Sequence, residues 1–322
     1  MVTTIDVVEI GDVEAGKGYG DGAKYVEFDG KIKANPNDDS IAFLLKVREK
    51  EVEKDPKDDS IRFQAIKVPL ETFRERIIAE EKKLLVCVHG FQAEPESWLD
   101  TCAQIQTSAD FDHIVVPVIW PSVGAAGIDI SIKYDREQAI AYQAGKALAP
   151  IAELGMESKL SLMCHSMGNR VLLSYVQNNS SVDKKFDDVF MVSADVWEEV
   201  FNDRVINDTW FQPPWNYWNL WEGTGLKLCN MLKDNGKIHV VNYPGDVALI
   251  GSEYWENWRR RLGRFGKNGQ GDRIHKDCVD KIVAYEATQF EDEVKEEDPT
   301  AMHSYQAAPT LIKYYNEVLN AN

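Results

Sequence analysis

The sequence has no apolar run near the ~20 residues that a membrane span requires, so no transmembrane helix is expected. It also has no CxxC pair. Its five cysteines (Cys87, Cys102, Cys164, Cys229 and Cys278) are odd in number, which argues against a disulfide framework and a structural zinc site. Basic charge is scarce. Against 53 acidic side chains stand 36 Lys and Arg, for a formal net charge of -17 at pH 7. So acidic a chain repels phosphate backbones and anionic lipid, and nucleic acid is not an expected partner. The first residues, MVTTIDVVEIGDVEAGKG, have neither a basic start nor a long apolar stretch. They do not read as a signal peptide, and a cytoplasmic location is expected.

Hydrophobic residues make up 44% of the 322 residues and charged residues 28%, an ordinary globular mix with enough length for a large core. Residues 1–82 differ from the rest. Short alternating runs (TTIDVVEI, KYVEF, SIAFLLKV, SIRFQAIKV) predict strands separated by Gly-rich and Asp-rich turns. They read as a β-rich extension of the following domain, because no flexible linker intervenes. "NPNDDSIAF" from Asn35 and "DPKDDSIRF" from Asp55 resemble each other. Their Asp pairs lack the ordered ligand spacing of a calcium loop and read as hairpin corners. Arg48–Asp59 reads as an exposed charged connection. "GDVEAGKG" (11–18) matches GxxxxGK, but Gly18 stands where Ser or Thr is needed and no helix follows. A glycine-rich hairpin explains it better than a phosphate loop.

From residue 83 to 322 the pattern alternates. Strands are expected at 84–89, 113–120, 159–164, 187–194, 237–243 and 280–287, and helices near 96–108, 134–154, 167–178, 225–234, 246–262 and 309–320. Near-continuous apolar strands alternating with helices predict an α/β domain with a mostly parallel sheet. Two stretches stand outside the alternation: the Trp-rich insertion INDTWFQPPWNYWNLWEGT (206–224) and an acidic loop over 288–302.

"CHSMG" (164–168) is close to GxSxG. A strand-like KLSLMC precedes it and a helix-like MGNRVLLSYV follows. That is the context of a nucleophile elbow, where the serine occupies a strained strand-to-helix turn and its neighbours must be small. Ser166 is therefore the candidate nucleophile. The loop after "VCVHGF" would supply one oxyanion N–H and the residue after the serine the other. This assigns Phe91 and Met167, with Gln92 as the alternative to Phe91. His89 then ties the loop.

The base follows by elimination among six histidines. His89 and His165 belong to loop motifs, and His113 also precedes the serine. His239 lies within a strand. His275 lies before the last strand, at the wrong end of a parallel sheet. His303 follows the last strand, on the side where functional groups gather. Two acids follow strands: Asp246 in "NYPGDVAL" and Asp195 in "VSADVWEEVF". Asp246 is preferred because its strand directly precedes the histidine's strand. Asp195 is the alternative, and the one not used is expected to cap a helix.

"VCVHGF", "VIWPS" (118–122), "YDREQA" (134–139), "CHSMGNRVLL" (164–173), "VSADV" (192–196), "GDVAL" (245–249) and "HSY" (303–305) occur in this order. Together they resemble a family of largely uncharacterised alpha/beta hydrolases carrying HGF, WPS, YDRE and HSMGNR motifs. The resemblance spans roughly residues 84–306. It implies an α/β-hydrolase fold and a Ser–Asp–His triad, and carries over Ser166, His303 and, through "GDVAL", Asp246. Cys164, where Gly or Ala is usual, and the Trp-rich insertion depart from the pattern. The expected activity is carboxylic-ester hydrolysis through an acyl-enzyme on Ser166, with no cofactor or metal. The expected partner is a small or polymeric ester. Trp120 is expected to line the pocket, and Trp210, Trp215 and Trp218 to form a cap. The competing expectations are a non-catalytic binding protein on the same fold and an acyl hydrolase for thioester, lactone or polyester bonds.

Overall fold

Strands buried on both faces need a helix layer on each side, and the periodicity of each strand divides its residues between the two layers. A computed structural model of the protein describes residues 4–10, 42–49, 63–68, 70–79, 81–93, 95–120, 122, 130–202, 224–255, 260–265, 274–288 and 303–321. The elements run β1 (Thr4–Ile10), β2 (Ala42–Glu49), β3 (Phe63–Val68), α1 (Leu70–Ala79), β4 (Lys83–Val88), α2 (Pro95–Ser108), β5 (His113–Ile119), α3 (Ile130–Ala147) and α4 (Ala149–Glu153). They continue β6 (Leu160–His165), α5 (Gly168–Asn178), β7 (Phe186–Val192), α6 (Thr224–Asn230), β8 (Leu232–Asn242), α7 (Val247–Trp255), α8 (Leu262–Phe265), β9 (Ile282–Glu286) and α9 (Pro309–Ala321).

Six strands form a parallel sheet in the order β5-β4-β6-β7-β8-β9. β1 adds to β5 in parallel, and β2 and β3 continue the edge antiparallel. Along β4, Leu84, Val86 and Val88 join one core with Phe73 and Ile77 of α1, Ala141 and Ala144 of α3, and Val171, Leu172 and Tyr175 of α5. Leu85 and Cys87 face the other way, into a core with Trp98 and Leu99 of α2 and Leu311 and Tyr315 of α9. Each fully buried side chain of this size contributes about 1.5–3 kcal/mol relative to exposure. Among the described residues no helix is long and apolar enough to cross a membrane.

Several expectations need correction. The helix expected over 134–154 begins at Ile130 and breaks after Ala147, restarting with Pro150 in its first turn. Proline lacks the N–H that a continuous helix would need there. The helix expected over 225–234 ends at Asn230, and β8 begins at Leu232. The polar KDNG at 233–236 hides the strand, which starts beside an irregularity in its pairing with β7. The helix expected over 246–262 is described only as Val247–Trp255, and Arg260 and Arg261 are not helical. α1 was not anticipated, although Phe73 and Ile77, four residues apart, mark its buried face. The Gly-rich turn (11–18), both Asp-rich corners, most of the 48–59 connection, the acidic loop and the insertion, with Trp210, Trp215 and Trp218, lie outside the described residues.

The cysteines also differ from expectation. Cys87, Cys102 and Cys164 are free and buried, but Cys229 and Cys278 form a disulfide. α6 and the 3-10 helix Lys276–Lys281 lie together in the fold, a proximity that sequence spacing does not reveal. The bond closes a loop with a sequence separation of 49. Loop-closure entropy predicts that Cys229→Ser with Cys278→Ser lowers unfolding stability by about 4 kcal/mol, read in urea denaturation. Equal midpoints for wild type and double variant would count against this.

Candidate active site

All the candidate groups lie just beyond the carboxyl ends of the parallel strands. Ser166 follows β6, Asp246 follows β8, and His303 follows β9 in the chain. Ser166 adopts φ 51°, a left-handed conformation that is costly for a residue with a Cβ and that clusters at functional sites. The turn is held from several directions. The Ser166 N–H donates to the Val192 carbonyl (2.9 Å), and the Ser166 carbonyl accepts from the N–H groups of Asn169 (3.1 Å) and Asp195 (3.2 Å). The Asn169 side-chain amide adds bonds to the Cys164 (2.9 Å) and Ser166 (3.0 Å) carbonyls. A Cβ on Gly168 would lie 2.5 Å from the His89 carbonyl oxygen, and one on Gly90 would lie 2.7 Å from the Ser166 Cβ. Both glycines are required by close approach of the backbone. Cys164 fits where a smaller residue was expected, because its side chain points into the core on the α5 side of β6.

Ser166 Oγ donates to His303 Nε2 (2.8 Å), and His303 Nδ1 donates to Asp246 Oδ2 (2.7 Å). These bonds define the imidazole tautomer: proton on Nδ1, lone pair toward the serine. Asp246 is fully buried. Its Oδ1 also accepts the Leu249 N–H (3.0 Å), so the acid caps α7 while it holds the imidazole. Ser166 is 4% exposed.

Asp195, the alternative acid, is engaged elsewhere and does not cap a helix. It accepts from the hydroxyls of Tyr134 (2.7 Å) and Ser252 (2.5 Å), and pairs with Arg170 (3.4 Å) and Arg261 (3.2 Å). Arg170 also donates to the Asp195 carbonyl (2.8 Å), Gln138 (2.7 Å) and the Tyr134 hydroxyl (2.7 Å). These charges sit in the core beneath the elbow, where each needs its partners.

The oxyanion candidates separate in the same way. The Gln92 N–H donates to Ser122 Oγ (2.8 Å) and Glu137 (3.3 Å), and Ser122 in turn donates to Glu137. That amide is already engaged. Neither the Phe91 nor the Met167 amide has an acceptor among the described residues. His89 ties the loop as expected: Nδ1 donates to the Gly90 carbonyl (2.9 Å) and Nε2 accepts the Trp120 N–H (3.0 Å). Trp120 is not an open pocket wall. It is 1% exposed, stacks on His89 with ring centroids 5.0 Å apart, and donates its indole N–H to the His89 carbonyl (2.8 Å). Among the described residues no group of three or more His, Cys, Asp or Glu could hold a metal ion.

The remaining histidines have other tasks. His239 lies between Tyr314 (2.7 Å) and Asp188 (3.2 Å) inside β8, and His275 accepts the Asp277 N–H (3.2 Å) at the start of a 3-10 helix. Sequence reasoning assigned no role to Tyr134, Glu137, Arg170, Ser252 or Arg261. The i, i+3 spacing of Tyr134 and Glu137 on α3 was a usable signal. The pairing of Arg261 with Asp195 was not.

The family described as alpha/beta hydrolase of unknown function (DUF900) matches residues 69–319. Solved structures with a similar chain path include a hyperthermophilic esterase from the archaeon Pyrobaculum calidifontis (10% identity, 86% of this chain and 80% of that one, TM-score 0.35). Others are a thermostable carboxylesterase from a metagenomic library (12%, 92% and 88%, 0.34) and carboxyl esterase 2 from the fungus Tuber melanosporum (10%, 94% and 90%, 0.36). No curated protein matches.

Burial keeps three histidines uncharged. It lowers His89 to about 4, His113 to about 4 with help from the Lys83 charge, and His165 to about 3 with help from His303. In the unfolded chain each takes up a proton near 6.5. Their contribution to stability is full above about pH 6.5 and is lost as pH falls toward their folded values. Stability against urea is expected to fall from about pH 7 to pH 5, with a slope of up to three protons. His113→Gln is expected to remove one of them. A flat profile would contradict this assignment.

Proposed function

Since the chain belongs to this alpha/beta-hydrolase family, we propose that it is a serine hydrolase that cleaves carboxylic esters through an acyl-enzyme on Ser166. The observation that carries the proposal is the unbroken relay Asp246–His303–Ser166, with the serine at φ 51° on a strand-to-helix turn. His303 Nε2 takes the Ser166 proton as Oγ attacks the ester carbonyl. Asp246 holds the tautomer and stabilises the imidazolium. The negative charge that develops on the carbonyl oxygen is met by the N–H groups of Phe91 and Met167. The tetrahedral intermediate collapses when His303 returns the proton to the leaving alkoxide. Water then enters, gives a proton to His303 as it attacks the acyl carbon, and His303 passes that proton to Ser166 Oγ as the bond to the acid breaks.

Fluorophosphonate labelling with peptide mapping, beside a 4-nitrophenyl ester series, tests the assignment. Ser166→Ala and His303→Ala are expected to abolish labelling, and Asp246→Asn to lower kcat on the order of 10,000-fold by disturbing the tautomer. Asp195→Asn is expected to cost about 3–5 kcal/mol of stability while the folded fraction still turns over ester. A folded wild type that neither labels nor hydrolyses would favour a binding protein on this fold. Cleavage of thioesters or lactones in preference to esters would move the bond but keep the residues.

A further inference from the structure

His165 is in no relay, yet it touches both sides of the site. Side chains alternate along β6, so His165 faces the same way as Met163, toward Trp98 of α2. Its ring stacks near that indole, with centroids 6.3 Å apart, and lies 4.9 Å from the His303 ring. A Cβ on Gly90 would lie 3.1 Å from its Nδ1, so the ring reaches from the oxyanion turn to the segment that carries the base. There Nε2 donates to the His303 backbone carbonyl (2.9 Å). Ser193 Oγ, from a residue at φ 44°, donates to the same oxygen (3.1 Å).

We propose that His165 is a positioning residue: its Nε2–H, together with the Ser193 hydroxyl, clamps the His303 carbonyl and so sets the imidazole in reach of both Ser166 and Asp246. The proposal rests on His303 acting as the base. His303 stands 17 positions after Glu286, the last residue of β9, and needs an anchor at its own backbone. A carbonyl oxygen has two lone pairs, and the two donors occupy both. Burial beside His303 keeps His165 neutral, with a pKa near 3. It therefore neither competes as a base nor adds a second positive charge when His303 becomes an imidazolium. The tautomer with its proton on Nε2 is the one that the carbonyl selects.

The test compares His165→Gln, whose amide N–H can reach the same carbonyl, with His165→Asn, which is too short, and His165→Leu, which has no donor. With a 4-nitrophenyl ester, Leu and Asn are expected to lower kcat on the order of 100-fold, the scale set by a misplaced catalytic group, with KM little changed. Gln is expected to recover most of the loss. Proton NMR of the Asp246–His303 hydrogen bond provides a readout that does not require turnover. Its downfield Nδ1–H resonance is expected in wild type and Gln and to be lost in Asn and Leu. If wild type has no esterase activity, the proposed function fails while this resonance still decides the clamp. Equal kcat and an unchanged resonance in Asn, or a Gln variant as impaired as Asn at the same melting temperature, would overturn the proposal.

Discussion

The left-handed backbone at Ser166 is the constraint on which the rest of the site depends. Such a conformation costs on the order of 1–3 kcal/mol and persists only when its surroundings over-determine it. Here they do. The end of β7 accepts the serine N–H, and Asn169 and Asp195 hold its carbonyl. Gly168 lets α5 start against the carbonyl end of β4. The turn sets Oγ against His303 Nε2, and the helix that begins at Gly168 leaves the Met167 amide without a described acceptor. One local distortion thus serves both the proposed nucleophile and the proposed oxyanion site.

The buried charges below the elbow are best understood as its foundation. Arg170 and Arg261 both pair with Asp195, and Asp195 lends its own N–H to the Ser166 carbonyl. Charges in a core are weak sources of net stability but strict about geometry, since the loss of one leaves another unpaired. That strictness suits a turn that must not relax. The Ser122–Glu137 pair does the same for the neighbouring loop, because it engages the Gln92 amide at φ 53°. Motifs that looked separate along the chain meet as one bracket.

Local pattern made much of this legible. Period and context placed Ser166 at a strand-to-helix turn. The rule that functional groups gather at carboxyl ends selected His303, and chain order preferred Asp246, which the structure puts against it. The partners of Asp195 were not legible, because they come from α3, α5, α7 and residue 261, contacts that only tertiary packing creates. The Cys229–Cys278 bond escaped for the same reason. Position at a strand end does not say which way the Trp120 side chain points. Its stacking on His89 does. The start of β8 was lost in KDNG, a turn-like sequence that the sheet overrides.

The order of parts along the chain has its own consequence. The serine and the base are separated by 137 positions, and the acid and the base by 57. Contacts so distant in sequence form slowly, because loop-closure entropy opposes them until the intervening sheet exists. Ser166 and Asp246 both precede His303, so a chain growing from its N-terminus holds both before it holds the imidazole. On the proposed chemistry, such an intermediate carries no activated hydroxyl. On the same reading, nucleophilicity requires the segment beyond β9 to dock, so a long-range contact arms the molecule.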